Sequence, residues 1–148
     1  MNLSSGTEER LTAVNKDWYE EVEVSLPEQY TFVADNGVTV EGWLLKPSGF
    51  QEGRKYPMVL QIHGGPHVAY GLTFNHEMQV LCGMRYAVLF TNPQGSGGYG
   101  QEFNNKTYCD YGGQGYRDLM RAVDEALVKW PWIDAERLGV TVVPMGVI

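Results

Sequence analysis

Two glycine-rich segments carry the residue types from which a reactive centre could be built. His63-Gly64-Gly65-Pro66 follows the apolar run Met58-Val59-Leu60-Gln61-Ile62, so it leaves the end of a strand expected to be buried on both faces. Glycine at such a turn lets a substrate carbonyl approach main-chain N–H groups, which is the geometry of an oxyanion hole. An ordinary glycine-rich turn accounts for the tetrapeptide equally well. The second segment, Gly95-Ser96-Gly97-Gly98-Tyr99-Gly100, formally satisfies the G-x-G-x-x-G spacing that cradles a dinucleotide pyrophosphate. Its context is wrong for that task. A dinucleotide fold opens a helix at once and places an acid at the end of the next strand, whereas residues 101–115 read as irregular and the acid at the right distance, Asp118, falls in an amphipathic helix. No cofactor is expected.

Potential nucleophiles are scattered. Ser96 lacks the glycine two positions earlier that a nucleophile elbow needs, so it reads as a loop serine. Cys82 lies in an apolar helical stretch and Cys109 in a loop, and nothing in the sequence brings either one to His63, His67 or His76. His63 and His67 are four apart, but in a Gly-Pro loop, where the helical spacing of a zinc pair does not apply. With no C-x-x-C spacing, both cysteines are expected to be reduced thiols and no metal site is expected.

The elements that must position these segments follow from hydrophobic period. Tyr30 to Val33 and Val38 to Leu45 are β-rich runs around Asp35-Asn36-Gly37, a hairpin signal because Asn and Gly tolerate positive φ. A strand over residues 57–62, a helical stretch over about 75–84 and a strand over 87–90 come next. Tyr116, Leu119, Met120, Val123, Ala126, Leu127 and Trp130 then recur at three- and four-residue steps, the apolar face of a helix that Pro131 ends. Arg137 to Thr141 reads as a last strand. Strands alternating with helices predict an α/β fold: a mostly parallel sheet with flanking helices, entered through an antiparallel N-terminal hairpin.

The chain has 148 residues, 43% of them apolar and 20% charged, enough for one core and too few for two ordinary domains. Its net charge of -7 and lack of a basic run exclude a nucleic-acid surface. No stretch approaches the ~20 apolar residues that span a bilayer, and the first residues lack the regions of a signal peptide, so a cytoplasmic location is expected. Residues 1–20 are polar and aperiodic and read as a linker; residues 21–148 form the domain.

Taken in order, Gly42-Trp43-Leu44 with Lys46-Pro47, Val59 to Pro66, Asn92 to Gly100, Tyr111 to Met120 and Asp134 to Thr141 resemble the acylaminoacyl-peptidase branch of the prolyl oligopeptidase family of serine peptidases. The resemblance implies a partial α/β-hydrolase fold, makes residues 1–20 similar to the exit from a β-propeller, and gives His63, Gly64, Gly65 and Pro66 the oxyanion loop, with the Gly65 N–H as donor. It also exposes departures. Family members follow this last strand with a Gly-Gly-Ser-Tyr-Gly-Gly elbow, and without gaps Val142-Val143 stands at the two glycines, Pro144 at the serine and Met145 at the second oxyanion donor. Proline has neither hydroxyl nor N–H. The family's later Asp and His have no counterpart here, and Gln94 stands where the family usually has arginine. The expectation is therefore a truncated peptidase domain, inactive alone; the competing one is a non-catalytic binding or assembly module. Either way the last strand lacks its next partner, which predicts a homo-oligomer through the exposed sheet edge.

Overall fold

The computed structural model describes residues 6–65 and 67–142. β1 (Pro27–Val33) and β2 (Thr39–Leu45) form the hairpin, closed where Ala34 N–H donates to Val38 O at 2.8 Å and Gly37 N–H to Ala34 O at 2.8 Å. Gly37 sits at φ +82, which explains the Asn-Gly dipeptide. β3 (Tyr56–Ile62), β4 (Ala87–Asn92) and β5 (Ile133–Val142) complete a sheet in the order β1-β2-β4-β3-β5. β3 pairs in parallel with β4 and with β5, and β2 joins β4 antiparallel.

That order forces the helices to opposite faces. From β3 the chain crosses to β4 on one side; from β4 it crosses back over β3 to β5 on the other. Because both crossovers are right-handed, opposite directions put the connecting helices on opposite faces. α2 (His76–Gly83) accordingly packs Met78 and Cys82 against Trp43, Leu45, Val88 and Phe90. α4 (Gln114–Lys129) packs Ala122 and Ala126 against Tyr30, Val40, Leu44, Met58, Leu60 and Leu89. Side-chain acceptors hold both starts: the N-cap Asn75 accepts through Oδ1 from Met78 N–H at 3.1 Å, and Asp110 Oδ2, from the turn before α4, accepts from Gln114 N–H at 2.8 Å.

Three features differ from the sequence expectations. The stretch read as a linker contains helix α1 (Lys16–Glu21), which crosses the boundary at residue 20, and whose Trp18 meets Phe74 edge-on at 5.7 Å. Part of the segment read as irregular is helical, as α3 (Gln101–Asn104) and a 3₁₀ turn (Asn105–Thr107). Most informative is α4, whose buried ridge is Gln114, Asp118, Ala122 and Ala126, four residues apart each time. Leu119, Val123 and Leu127 are only half-buried, and Tyr116 and Met120 are exposed. The apolar stripe is wider than what the described residues cover.

Gln61, fully buried on β3, has no partner for either amide atom among the described residues. An apolar side chain of similar volume removes both unmet groups. Gln61→Leu is expected to stabilise the fold by about 1 kcal/mol, read as a higher urea midpoint at unchanged m-value; a lower midpoint would show that ordered water satisfies the amide.

Candidate active-site remnant

β3, β4 and β5 all run in one direction, so their carboxyl ends lie along the same rim of the sheet, with Ile62 level with Val142. The loops leaving β3 and β4 depart toward opposite faces, and the crevice between such loops is where open α/β sheets bind ligands. Both loops there are glycine-rich, and the structure ties them together. His67 N–H donates to Gly95 O at 3.4 Å and Gly97 N–H to Val68 O at 3.2 Å. Gly97 permits this approach, since a Cβ there would lie 2.5 Å from His67 O.

The side chains add a second set of ties. His63 Nε2 lies 2.9 Å from Ser96 Oγ, whose hydroxyl also reaches Pro93 O at 2.7 Å, while His63 Nδ1 faces Gly64 O at 2.9 Å. Asn92, at the end of β4, accepts from Tyr70 N–H at 2.8 Å and donates back to Tyr70 O at 3.0 Å and to Tyr99 Oη at 2.7 Å. Tyr99 in turn donates to Glu41 on β2. Burial, reinforced by the Glu41 carboxylate, pushes the Tyr99 phenol up to about 12, so it stays a donor at neutral pH.

Ser96 beside His63 has the outline of a nucleophile and its base. The surroundings argue against it: Ser96 is 1% exposed, and the other imidazole nitrogen faces a carbonyl rather than an orienting carboxylate. The pair braces the loop. Sequence spacing alone had no means of finding this contact, because it joins two loops that meet only once β3 and β4 are paired.

Gly65 has φ +136, and a Cβ there would press on Val68 at 3.3–3.4 Å, so this position requires glycine. Among the described residues nothing accepts a backbone hydrogen bond from its N–H, as an oxyanion donor requires. With His63, His67, Ser96, Thr107 and Tyr111 it lines a cavity of about 140 Å³. Pro66, Pro144 and Met145 lie outside the described residues. The other candidates are not assembled into a centre. Cys82 is buried on α2, its thiol pushed up to about 11 by desolvation, which makes it a poor nucleophile. His67 and exposed Cys109 line one surface cavity with no hydrogen bond between them, and His76 starts α2. No group of three metal-ligating side chains occurs among the described residues, and none of their helices is long and apolar enough to cross a membrane.

One contact was not foreseen in the sequence. Asp118, 1% exposed on α4, accepts from the Gln94 backbone N–H at 2.8 Å, from Gln94 Nε2 at 3.1–3.2 Å and from Gln114 Nε2 at 2.7 Å. Gln94, in the place usually held by arginine in the resembled family, satisfies this carboxylate through amide donors. Arg117 acts one step removed, its Nη2 donating to Gln114 Oε1 at 2.9 Å. The pointer in the sequence was the four-residue spacing of Gln114, Asp118, Ala122 and Ala126.

Residues 72–141 match the prolyl oligopeptidase family model. The peptidase YuxL of Bacillus subtilis is 49% identical over 134 residues, 90% of this chain and 20% of that protein. The chain belongs to the prolyl oligopeptidase family. A second family relative, dipeptidyl-peptidase 5 of Porphyromonas gingivalis, is 31% identical over 94% of this chain and 20% of its own length. Among solved structures, the acylaminoacyl peptidase of Pyrococcus horikoshii superposes with a TM-score of 0.88 at 31% identity, over 94% of this chain and 22% of that one. An acylaminoacyl peptidase crystallised with Z-Gly-Gly-Phe-chloromethyl ketone superposes equally well, with a TM-score of 0.88 over 93% of this chain. The chain thus spans about a fifth of the relatives it matches, and its sheet is the opening part of an α/β-hydrolase domain.

Proposed function

We propose that this chain supplies the oxyanion side of a serine-peptidase domain whose nucleophile, acid and histidine lie outside residues 1–142, and that the 148-residue polypeptide is inactive by itself. The completed domain would cleave peptide or acyl-aminoacyl bonds through an acyl-enzyme: serine attacks the carbonyl, histidine carries the proton to the leaving amine, and the Gly65 N–H holds the oxyanion. The observation that carries this reading is the Gly65 turn at the carboxyl end of β3, held against the Gly95–Gly100 loop by His63 and Ser96. The two free cysteines, one buried and one exposed, favour a reducing compartment and support a cytoplasmic location.

The test joins residues 1–142 to the downstream hydrolase portion of the Pyrococcus horikoshii relative, in place of that protein's own matching segment. Recovery of peptide or ester hydrolysis is expected, and Gly65→Val in the graft is expected to lower kcat on the order of 100-fold by blocking the oxyanion position. The ungrafted polypeptide should neither cleave p-nitrophenyl esters nor take up a fluorophosphonate. Labelling of Ser96 in that polypeptide would overturn the reading.

A further inference from the structure

The His63 ring touches the oxyanion turn and the neighbouring loop through different nitrogens. Its Nδ1 lies 2.9 Å from the carbonyl oxygen of Gly64, and among the described residues no backbone N–H donates to that oxygen. Its Nε2 lies 2.9 Å from Ser96 Oγ, while the Tyr70 ring stands edge-on to the imidazole at 5.2 Å and limits its rotation. Counting protons fixes the tautomer. A neutral imidazole protonated on Nε2 would set a bare Nδ1 against the Gly64 carbonyl, two acceptors 2.9 Å apart, which is repulsive. With the proton on Nδ1 every contact is met: Nδ1 donates to Gly64 O, Ser96 Oγ donates to Nε2, and Pro93 O keeps the Ser96 backbone N–H at 3.0 Å. An imidazolium also donates from Nδ1, with the Ser96 hydroxyl then turned to Pro93 O at 2.7 Å. Gly64 O is held in either charge state.

We infer that His63 is a positioning residue for the oxyanion donor, its Nδ1–H setting the direction of the Gly65 N–H through the peptide unit that joins Gly64 to Gly65. This rests on the reading of Gly65 as that donor. The Gly64 carbonyl and the Gly65 N–H belong to one planar, trans unit, so they point in opposite directions and holding the first aims the second. Such a hold is needed here. Between two glycines no Cβ opposes a turn of the whole unit, and a turned unit would present a carbonyl oxygen where the substrate's developing negative charge has to sit. Ser96, by donating to Nε2, keeps the proton of a neutral ring on Nδ1; being 1% exposed, it does so without meeting substrate.

Asparagine and glutamine separate the two ring nitrogens, because the Asn amide nitrogen is as many bonds from Cα as Nδ1 and the Gln amide nitrogen reaches toward the place of Nε2. NMR of the 148-residue polypeptide should show a proton on His63 Nδ1. The Gly65 amide should have an order parameter of about 0.85 in the wild type and in His63→Asn, falling toward about 0.6 in His63→Gln. In the hydrolase graft, His63→Gln should lower kcat by about 10-fold or more with KM little changed, a part of the roughly 100- to 1000-fold that outright loss of an oxyanion donor costs. His63→Asn should stay within about threefold of the parent, because it keeps the donor to Gly64 O. A brace acting through Ser96 alone predicts the reverse order, with Gln above Asn. That reverse order, or a wild-type ring with Nδ1 bare and the proton on Nε2, would overturn the proposal. Failure of the Gly65 reading has its own sign: Gly65→Val would leave the kcat of the graft unchanged, while the ring protonation and the order parameters would still uphold the hold of His63 on the peptide.

Discussion

Asp118→Leu is expected to cost about 3–5 kcal/mol of folding stability, a large share of what a domain of this size has to lose. Three donors converge on this carboxylate: one backbone N–H and the amides of Gln94 and Gln114. Leucine removes this acceptor from all three; Gln94 Nε2 keeps Asn36 Oδ1 at 3.2 Å, while the Gln94 N–H and Gln114 Nε2 lose the carboxylate at about 1–3 kcal/mol each. The contacts also tie the start of the Gln94 loop to the first turn of α4, so the rim carrying His63 and Ser96 should loosen with it. Gln94→Leu on its own should cost less, and the double variant should fall short of the sum by about 1 kcal/mol or more, because the residues share partners. Urea titration of the four proteins measures this. A loss under about 1 kcal/mol for Asp118→Leu would mean that water replaces the carboxylate at no cost.

Gly42→Val sets two effects of opposite sign against each other. Valine suits a strand better than glycine by up to about 1 kcal/mol. Against this, Gly42 stands opposite Tyr30 on one neighbouring strand and Thr91 on the other, and a Cβ would lie 2.7 Å from Tyr30 Cε1 and 2.8 Å from Thr91 Cγ2. Tyr30 cannot move aside easily. Its ring stacks on Phe32 at 5.9 Å, meets Trp130 edge-on at 5.1 Å, and its hydroxyl donates to Ala122 O at 3.2 Å. Overpacking should therefore dominate, with a net loss of about 2–4 kcal/mol and a changed near-ultraviolet signal from Tyr30 and Trp130. Equal or greater stability than wild type would show that Tyr30 has room to turn.

These two positions also mark how far the sequence could be read. The hairpin was legible because Asn36-Gly37 has one good conformation between two β-branched runs, and β3 because five apolar or buried residues precede a Gly-Gly turn. Family motifs identified Gly42 and the His63–Pro66 segment, but the reason for Gly42 is a contact with residues on two other strands. Hydrophobic period found α4 and an apolar stripe on it, yet it pointed about a third of a turn away from the ridge that is buried most deeply. A polar residue enters a core only when partners from elsewhere satisfy it, and Asp118 finds one of them on a loop 24 positions away. Pattern within a segment carries no record of such partners. The His63–Ser96 contact was out of reach for the same reason, and the helical turns at Gln101–Thr107 because a single turn is shorter than any usable period.

The order of strands in the sheet also bears on how the molecule assembles in time. β1 and β2 are joined by a short turn, while Met58 on β3 finds Leu138 on β5 only by closing a loop of about half the chain. Loop closure of that length must be met before any contact it creates can repay it, so this pairing belongs late in folding and after β4 has docked on both β2 and β3. During that interval β3 itself is an open, uncharged edge running through the middle of the future sheet. β3, the strand that ends in the Gly64-Gly65 turn, thus waits with an open edge until β5 arrives, and the rate of that arrival bears on the competition between folding and aggregation.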